Sequence, residues 1–122
     1  MSSAPLKLSA VISVHNEENQ LAECLKTLEF ADEIVVLLDK CTDGSEVIAQ
    51  EFTDRVFLGA WSTEGARRNA GIEACTGDWV FEIDADERVP EALAREIRRT
   101  VETSNADWHE VPVDNYIGDR LI

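Results

Sequence analysis

Asp84 and Asp86 stand two residues apart at the end of an apolar run, Trp79-Val80-Phe81-Glu82-Ile83. Near a strand end, residues spaced i, i+2 point to the same side. The two carboxylates can therefore converge. At about 5 Å they repel by roughly 3 kcal/mol at an effective dielectric near 20. A divalent cation removes that cost. Mg²⁺ typically takes one or two protein carboxylates and completes its shell with water and phosphate oxygens. The pattern suggests a metal–diphosphate site at the carboxyl edge of a sheet. Spacing alone carries little, since ten aspartates in 122 residues predict roughly one such triplet by chance. Placement carries more: the pair follows an apolar strand directly and precedes a helix opened by Pro90.

The elements that would position this pair are legible as strands and helices in alternation. Leu8–Val14 is the first strand, and Asn16 is placed to cap the helix after it, with Glu17 and Glu18 in the first turn. Leu21, Cys24, Leu25 and Leu28 repeat at helical spacing and should face the sheet. Glu33–Asp39 is a second strand whose continuous apolar run implies burial on both faces. Thr42–Ser45 is a turn that opens a short helix carrying Val47, Ile48 and Phe52. Arg55–Leu58 is a third strand, and Thr63 opens a helix with Ala66, Ala70 and Ala74 along one side. Asp78–Ile83 is the fourth strand, and Leu93, Ile97 and Val101 mark the core face of the helix after Pro90. Trp108–Val113 is a candidate fifth strand; residues 115–122 carry no assignment.

This alternation predicts an α/β fold: a mostly parallel, Rossmann-like sheet with helices on both faces. Ligands of such folds bind outside the carboxyl ends of the strands. Those ends are His15-Asn16-Glu17, Asp39 and Asp84-Ala85-Asp86, so polar groups gather on one edge.

Composition bounds the partners. A chain of 122 residues with 44% apolar and 30% charged residues suits one globular domain. A net charge of −14 argues against a nucleic-acid backbone or an anionic membrane as partner. Three cysteines, Cys24, Cys41 and Cys75, show no zinc spacing, and reduced thiols in the cytoplasm are expected. No membrane span or leader is expected.

No GxGxxG follows the first strand, no GxxxxGK[ST] is present, and no G-x-S-x-G elbow occurs. What remains is a nucleotide site without a glycine loop. Four ordered motifs then resemble a known family. They are Ser9–Glu18 with its Asn-Glu-Glu, Ala31–Asp39 followed by Cys41-Thr42-Asp43-Gly44-Ser45, Arg68-Asn69-Ala70-Gly71, and Thr76–Val80 leading to Asp84–Val89. The chain resembles the N-terminal, nucleotide-sugar-binding part of a family 2 glycosyltransferase of the GT-A fold. The form Asp-Ala-Asp-Glu-Arg-Val is most like bacterial members that add glucose or related sugars to lipopolysaccharide core.

The resemblance implies a UDP-sugar donor and Mg²⁺ or Mn²⁺ as cofactor. It implies that Asp39 accepts a hydrogen bond from the uracil ring, and that Ser13, His15 and Glu17 line base and ribose. Asp84 would meet the ribose or a metal-bound water, and Asp86 the metal. Arg68, with Arg67, would help neutralise the diphosphate. The residues leave plainer roles open as well: His15 as an ordinary strand-end residue, Asp39 as a capping carboxylate, Arg67 and Arg68 as solvated side chains. Lys40-Cys41 departs from the small residues usual in the family at that point.

The resemblance also implies an acceptor-binding half beyond this chain, with the general base on it. Residues 1–122 are thus expected to form a single donor-binding domain that does not transfer sugar by itself. Glu110 and Asp114 are late carboxylates that precede the acceptor segment. The expected acceptor is a glycan or lipid-linked molecule, and the expected location is the cytoplasm or the inner face of the membrane. Apolar sheet surface left uncovered would favour self-association. The alternatives are a non-catalytic nucleotide-binding module, or a nucleotidyltransferase, which would normally carry a Gly-rich loop and Lys where this chain has Asn16-Glu17-Glu18.

Overall fold

The computed structural model describes residues 7–103. Four strands, β1 (Leu8–Val14), β2 (Glu33–Asp39), β3 (Val56–Gly59) and β4 (Trp79–Asp84), form one sheet in the order β3-β2-β1-β4. All three pairings are parallel. The helices are α1 (Leu21–Lys26), α2 (Ser45–Gln50), α3 (Glu64–Ala74) and α4 (Glu91–Thr103). The expected α/β parallel sheet is the one observed. None of the described helices is long and apolar enough to cross a membrane. The candidate fifth strand, Trp108–Val113, lies outside the described residues.

Successive side chains of a strand point to opposite faces, and the core divides accordingly. Leu8, Ala10, Ile12 and Val14 of β1 pack with Val36, Leu38, Phe81 and Ile83 under α1 and α4. There they meet Leu21, Cys24, Leu25 and Leu28, and Leu93, Ile97 and Val101, as their helical spacing predicts. Val11, Val35 and Leu37 face the other way, toward Trp61, Ala74 and Cys75. Strand order reverses at β1: β2 and β3 lie on one side, and the chain returns through α3 to place β4 on the other. Open parallel sheets take ligands at the carboxyl ends beside such a reversal.

Four local expectations need correction. Asn16 does not cap α1, whose N-cap is Gln20; the helix starts at Leu21, so Glu23 and not Glu17 or Glu18 is the acid in its first turn. Asn16 instead adopts a left-handed backbone, φ 50°, and its side chain serves another loop. β3 and β4 each begin and end one residue later than expected, which makes Asp84 the last residue of its strand. In α3 the sheet-facing side runs through Gly71 and Ala74, with Ala66 exposed. A Cβ on Gly71 would lie 2.9 Å from Val11 Cγ2 and 3.0 Å from Leu37 Cδ1, so glycine is what lets α3 lie this close. Finally, α4 starts at Glu91, so Pro90 immediately precedes it rather than standing at its first position, and its carbonyl accepts from Ala94 N at 2.9 Å.

Candidate donor-binding site

Register aligns the strand ends. Ser13 pairs with Asp84, Val14 with Leu38, and Asp39 with Gly59. His15, Asp39 and Asp84 therefore share the carboxyl edge. A cleft of about 300 Å³ opens there, lined by Ser13, His15, Glu17, Arg67, Asp84 and Asp86 among others. A smaller cavity of about 160 Å³ adjoins it between α3 and the sheet, with Arg67, Arg68, Glu82, Asp84 and Glu87 in its wall.

The acidic segment is shaped by the residue between the aspartates. Ala85 is buried, and its N–H donates to Ser13 O at 3.3 Å, which leaves Asp84 and Asp86 exposed on either side. Glu87 N donates to Asp84 O at 3.0 Å, closing a turn, and Glu87 Oε1 accepts from Asp84 N at 2.9 Å. Arg88 fastens the turn from outside by donating to Ala85 O at 3.1 Å and Glu87 O at 2.9 Å. Carboxylate oxygens of Asp84, Asp86 and Glu87 come within 4.8 Å of one another. Opposite ligands of a cation with bonds near 2.1 Å are about 4.2 Å apart. At most one pair of the three can lie opposite, and ligands at right angles stand about 3.0 Å apart, so the three must draw together to hold one hard cation, for which an all-oxygen donor set is suited. Glu87 is a candidate ligand that the sequence reading passed over, although it directly extends the acidic pair.

Asp39 is nearly buried at 9% exposure. Its Oδ1 accepts from Trp61 N at 3.2 Å and its Oδ2 from Arg67 Nη1 at 3.3 Å. Both oxygens are thus engaged within the fold, yet each keeps acceptor capacity. His15 Nδ1 lies 2.8 Å from Asp39 O. A carbonyl only accepts, so Nδ1 carries a proton, and Nε2 of the neutral ring is an acceptor. Arg68 is paired with Glu82, its Nε 2.9 Å from Glu82 Oε2, in the wall of the smaller cavity that Asp84 also lines.

Two loops hold this edge together. Asn16 Oδ1 accepts from Thr42 N at 2.7 Å and Asp43 N at 3.2 Å. Glu17 N donates to Ser45 Oγ, and Glu18 N to Asp43 Oδ2, each at 3.2 Å. Hydrogen bonding, led by that from Ser45, holds the Asp43 carboxyl below its ordinary range. Cys41 sits between the loops and donates to Val14 O at 3.3 Å. Burial raises its thiol pKa, as it pushes Cys24 up to about 12 and Cys75 up to about 11, so all three are held as thiols.

Residues 9–118 match the family model described as glycosyl transferase family 2. The chain belongs to that family. Among its curated members, the lipopolysaccharide core biosynthesis glycosyltransferase LpsC of Rhizobium meliloti (strain 1021) is 37% identical over 93 residues. That match covers 72% of this chain and 34% of LpsC. The chain thus spans about a third of the length of the curated relatives it matches. Among solved structures, glucosyl-3-phosphoglycerate synthase from Mycobacterium tuberculosis with Mn²⁺ and UDP-glucose superposes with a TM-score of 0.67 at 24% identity, over 82% of this chain and 40% of that one. Mannosyltransferase PcManGT from Pyrobaculum calidifontis with GDP-mannose and Mn²⁺ gives 0.63 at 19% identity, over 80% and 33%. At such identities these structures establish the shared fold alone.

Proposed function

We propose that this chain is the donor-binding part of a glycosyltransferase that takes a UDP-sugar with a divalent cation. One observation carries the reading: Ser13, His15, Asp84 and Asp86 line one cleft at the carboxyl edge of the sheet, with Glu87 beside the two aspartates and Asp39 at the neighbouring strand end, joined to the cleft wall through Arg67. Asp39 accepts the imino N–H of uracil, the segment from Ser13 to Glu17 lines base and ribose, and Asp86 with Asp84 and Glu87 holds the cation. A cation held there would supply stabilisation of the charge that develops on the diphosphate leaving group. Arg68 is long, exposed and bound to only one surface carboxylate, so it can swing from Glu82 to a phosphate at little cost. The relation to LpsC favours a glycan or lipid-linked acceptor of the lipopolysaccharide-core class. Its recognition and the general base belong to the two thirds of the relatives that this chain does not match.

Isothermal calorimetry with UDP, with and without Mn²⁺, tests the reading. Binding that Mn²⁺ strengthens is expected. Absence of UDP binding in both conditions overturns it.

A further inference from the structure

We propose that Arg67 is a positioning residue at the base end of the cleft, acting through Asp39, and not a counter-charge for the diphosphate. The inference rests on the donor-site reading and refines it. The Asp39 carboxylate is gripped from two directions, by Trp61 N on one oxygen and Arg67 on the other. Its backbone is fixed as well. His15 Nδ1 binds Asp39 O, and the next residue, Lys40, donates N–H to Gly59 O at 2.9 Å. Each carboxylate oxygen has two lone-pair sites. One bond to each leaves acceptor sites in fixed directions, as selection of a base by its imino N–H requires.

The placement of Arg67 follows from the helix that carries it. Thr63 Oγ1 accepts from Ala66 N at 3.0 Å and starts α3 beside the end of β3. Gly71, one turn beyond Arg67, brings the helix against Val11 and Leu37 of the sheet. The arginine is thereby held over the end of β2, with its side chain 24% exposed against 66% for Arg68. Charge points the same way. A guanidinium already paired with a nearly buried carboxylate brings little net positive charge to a phosphate, and leaving that partner would strand Asp39.

Uridine, which has no phosphate, separates the two roles. Wild-type chain, Arg67→Met, Arg67→Lys and Asp39→Asn are titrated with uridine and with UDP plus Mn²⁺, and folding is checked by urea midpoint. Arg67→Met is expected to weaken uridine and UDP by a similar factor, about tenfold. The ratio of the two affinities should stay within about twofold of wild type. In the Asp39→Asn background the same change should add less than about twofold, because its route is already cut. Arg67→Lys keeps the charge and recovers part of the loss for both ligands. It also decides the matter should the methionine variant not fold. Loss of UDP affinity with uridine unchanged, or no change in either, overturns the positioning role alone. A wild-type chain that binds no UDP overturns the donor-site reading and the role of Arg67 with it.

Discussion

Glu33 and Asp86 are carboxylates at opposite ends of one sheet. Glu33 opens β2 at the amino edge. Its oxygens accept from Ser9 Oγ at 2.7 Å, Thr76 N at 2.8 Å and Thr76 Oγ1 at 2.9 Å. Arg55 Nε lies 3.2 Å away, within ion-pair range but off the line of a hydrogen bond. Asp32 beside it accepts from Leu8 N at 2.8 Å and Arg98 Nη1 at 3.0 Å. Asp86 stands two residues past β4 at the carboxyl edge, exposed, with no hydrogen bond or ion pair to any described residue. One edge spends its acids on closing the fold. The other gathers Asp84, Asp86 and Glu87 close together, and although Glu87 also closes the turn through Asp84 N, Asp86 makes no such bond. That difference separates structural acids from candidate ligands more sharply than sequence spacing can.

The largest expected effect lies at the amino edge. Glu33→Ala removes the acceptor of three bonds, one of them from the buried Ser9 hydroxyl, and should cost about 1–3 kcal/mol by urea denaturation. Asp86→Ala should leave stability within about 0.5 kcal/mol of wild type, or raise it slightly by removing a repulsion. A Glu33→Ala protein of wild-type stability would erase the distinction between the edges. Acid sharpens it. Burial alone would raise the Glu33 pKa, but bonds from Ser9 and Thr76 and the charge of Arg55 hold it below the ordinary carboxylate range. Asp32 is lowered chiefly by the Leu8 amide and then by Arg98. A lowered folded pKa contributes stability above the unfolded value that is lost as pH falls through the folded one. Stability should therefore decline as the pH falls below the ordinary carboxylate range, and Glu33→Gln should flatten that limb.

Next in size is the ligand effect at the carboxyl edge. Asp86→Ala should abolish the strengthening of UDP by Mn²⁺, a loss of about tenfold or more, while metal-free binding is kept. Asp39→Ala should weaken UDP with and without metal. Calorimetry in which Asp86→Ala retains the full metal effect would move the cation elsewhere.

Much of this division was legible in the chain. The apolar runs Leu8–Val14 and Glu33–Asp39 match β1 and β2 residue for residue, because buried parallel strands read as continuous hydrophobic stretches. The carboxyl-edge gathering of His15, Asp39 and Asp84 followed from strand ends alone. What was not legible depends on contacts distant in sequence. Asn16 looked like a helix cap because its residue type suits one, but its oxygen bonds amides 26 and 27 residues away. Arg67 and Arg68 are chemically identical neighbours. Only the approach of α3 permitted by Gly71 sends one to Asp39 and leaves the other on Glu82.

The smallest effect concerns strain, and it too falls on one edge. Among the described residues, Asn16 and Lys40 are the non-glycine residues with positive φ, 50° and 54°. They directly follow His15 and Asp39 at the ends of neighbouring strands. A left-handed L-residue costs roughly 1–2 kcal/mol, less for Asn. Strain of this kind persists where the surroundings over-determine the backbone, and it concentrates at binding sites. The two positions should answer differently to glycine. Asn16→Gly relieves strain but removes the acceptor for Thr42 and Asp43, so it should destabilise by about 1 kcal/mol and weaken UDP by loosening the loops around His15 and Asp39. Lys40 contributes its backbone N–H to Gly59 O, and glycine keeps that bond. Relief of strain then competes only with the greater entropy of glycine in the unfolded chain, about 0.5–1 kcal/mol. Lys40→Gly should therefore stabilise by between zero and about 1.5 kcal/mol, with UDP affinity unchanged. Paired urea titrations of the two variants measure this. Equal losses at both sites would mean that the left-handed backbone, and not the Asn16 side chain, is what holds the carboxyl edge in shape.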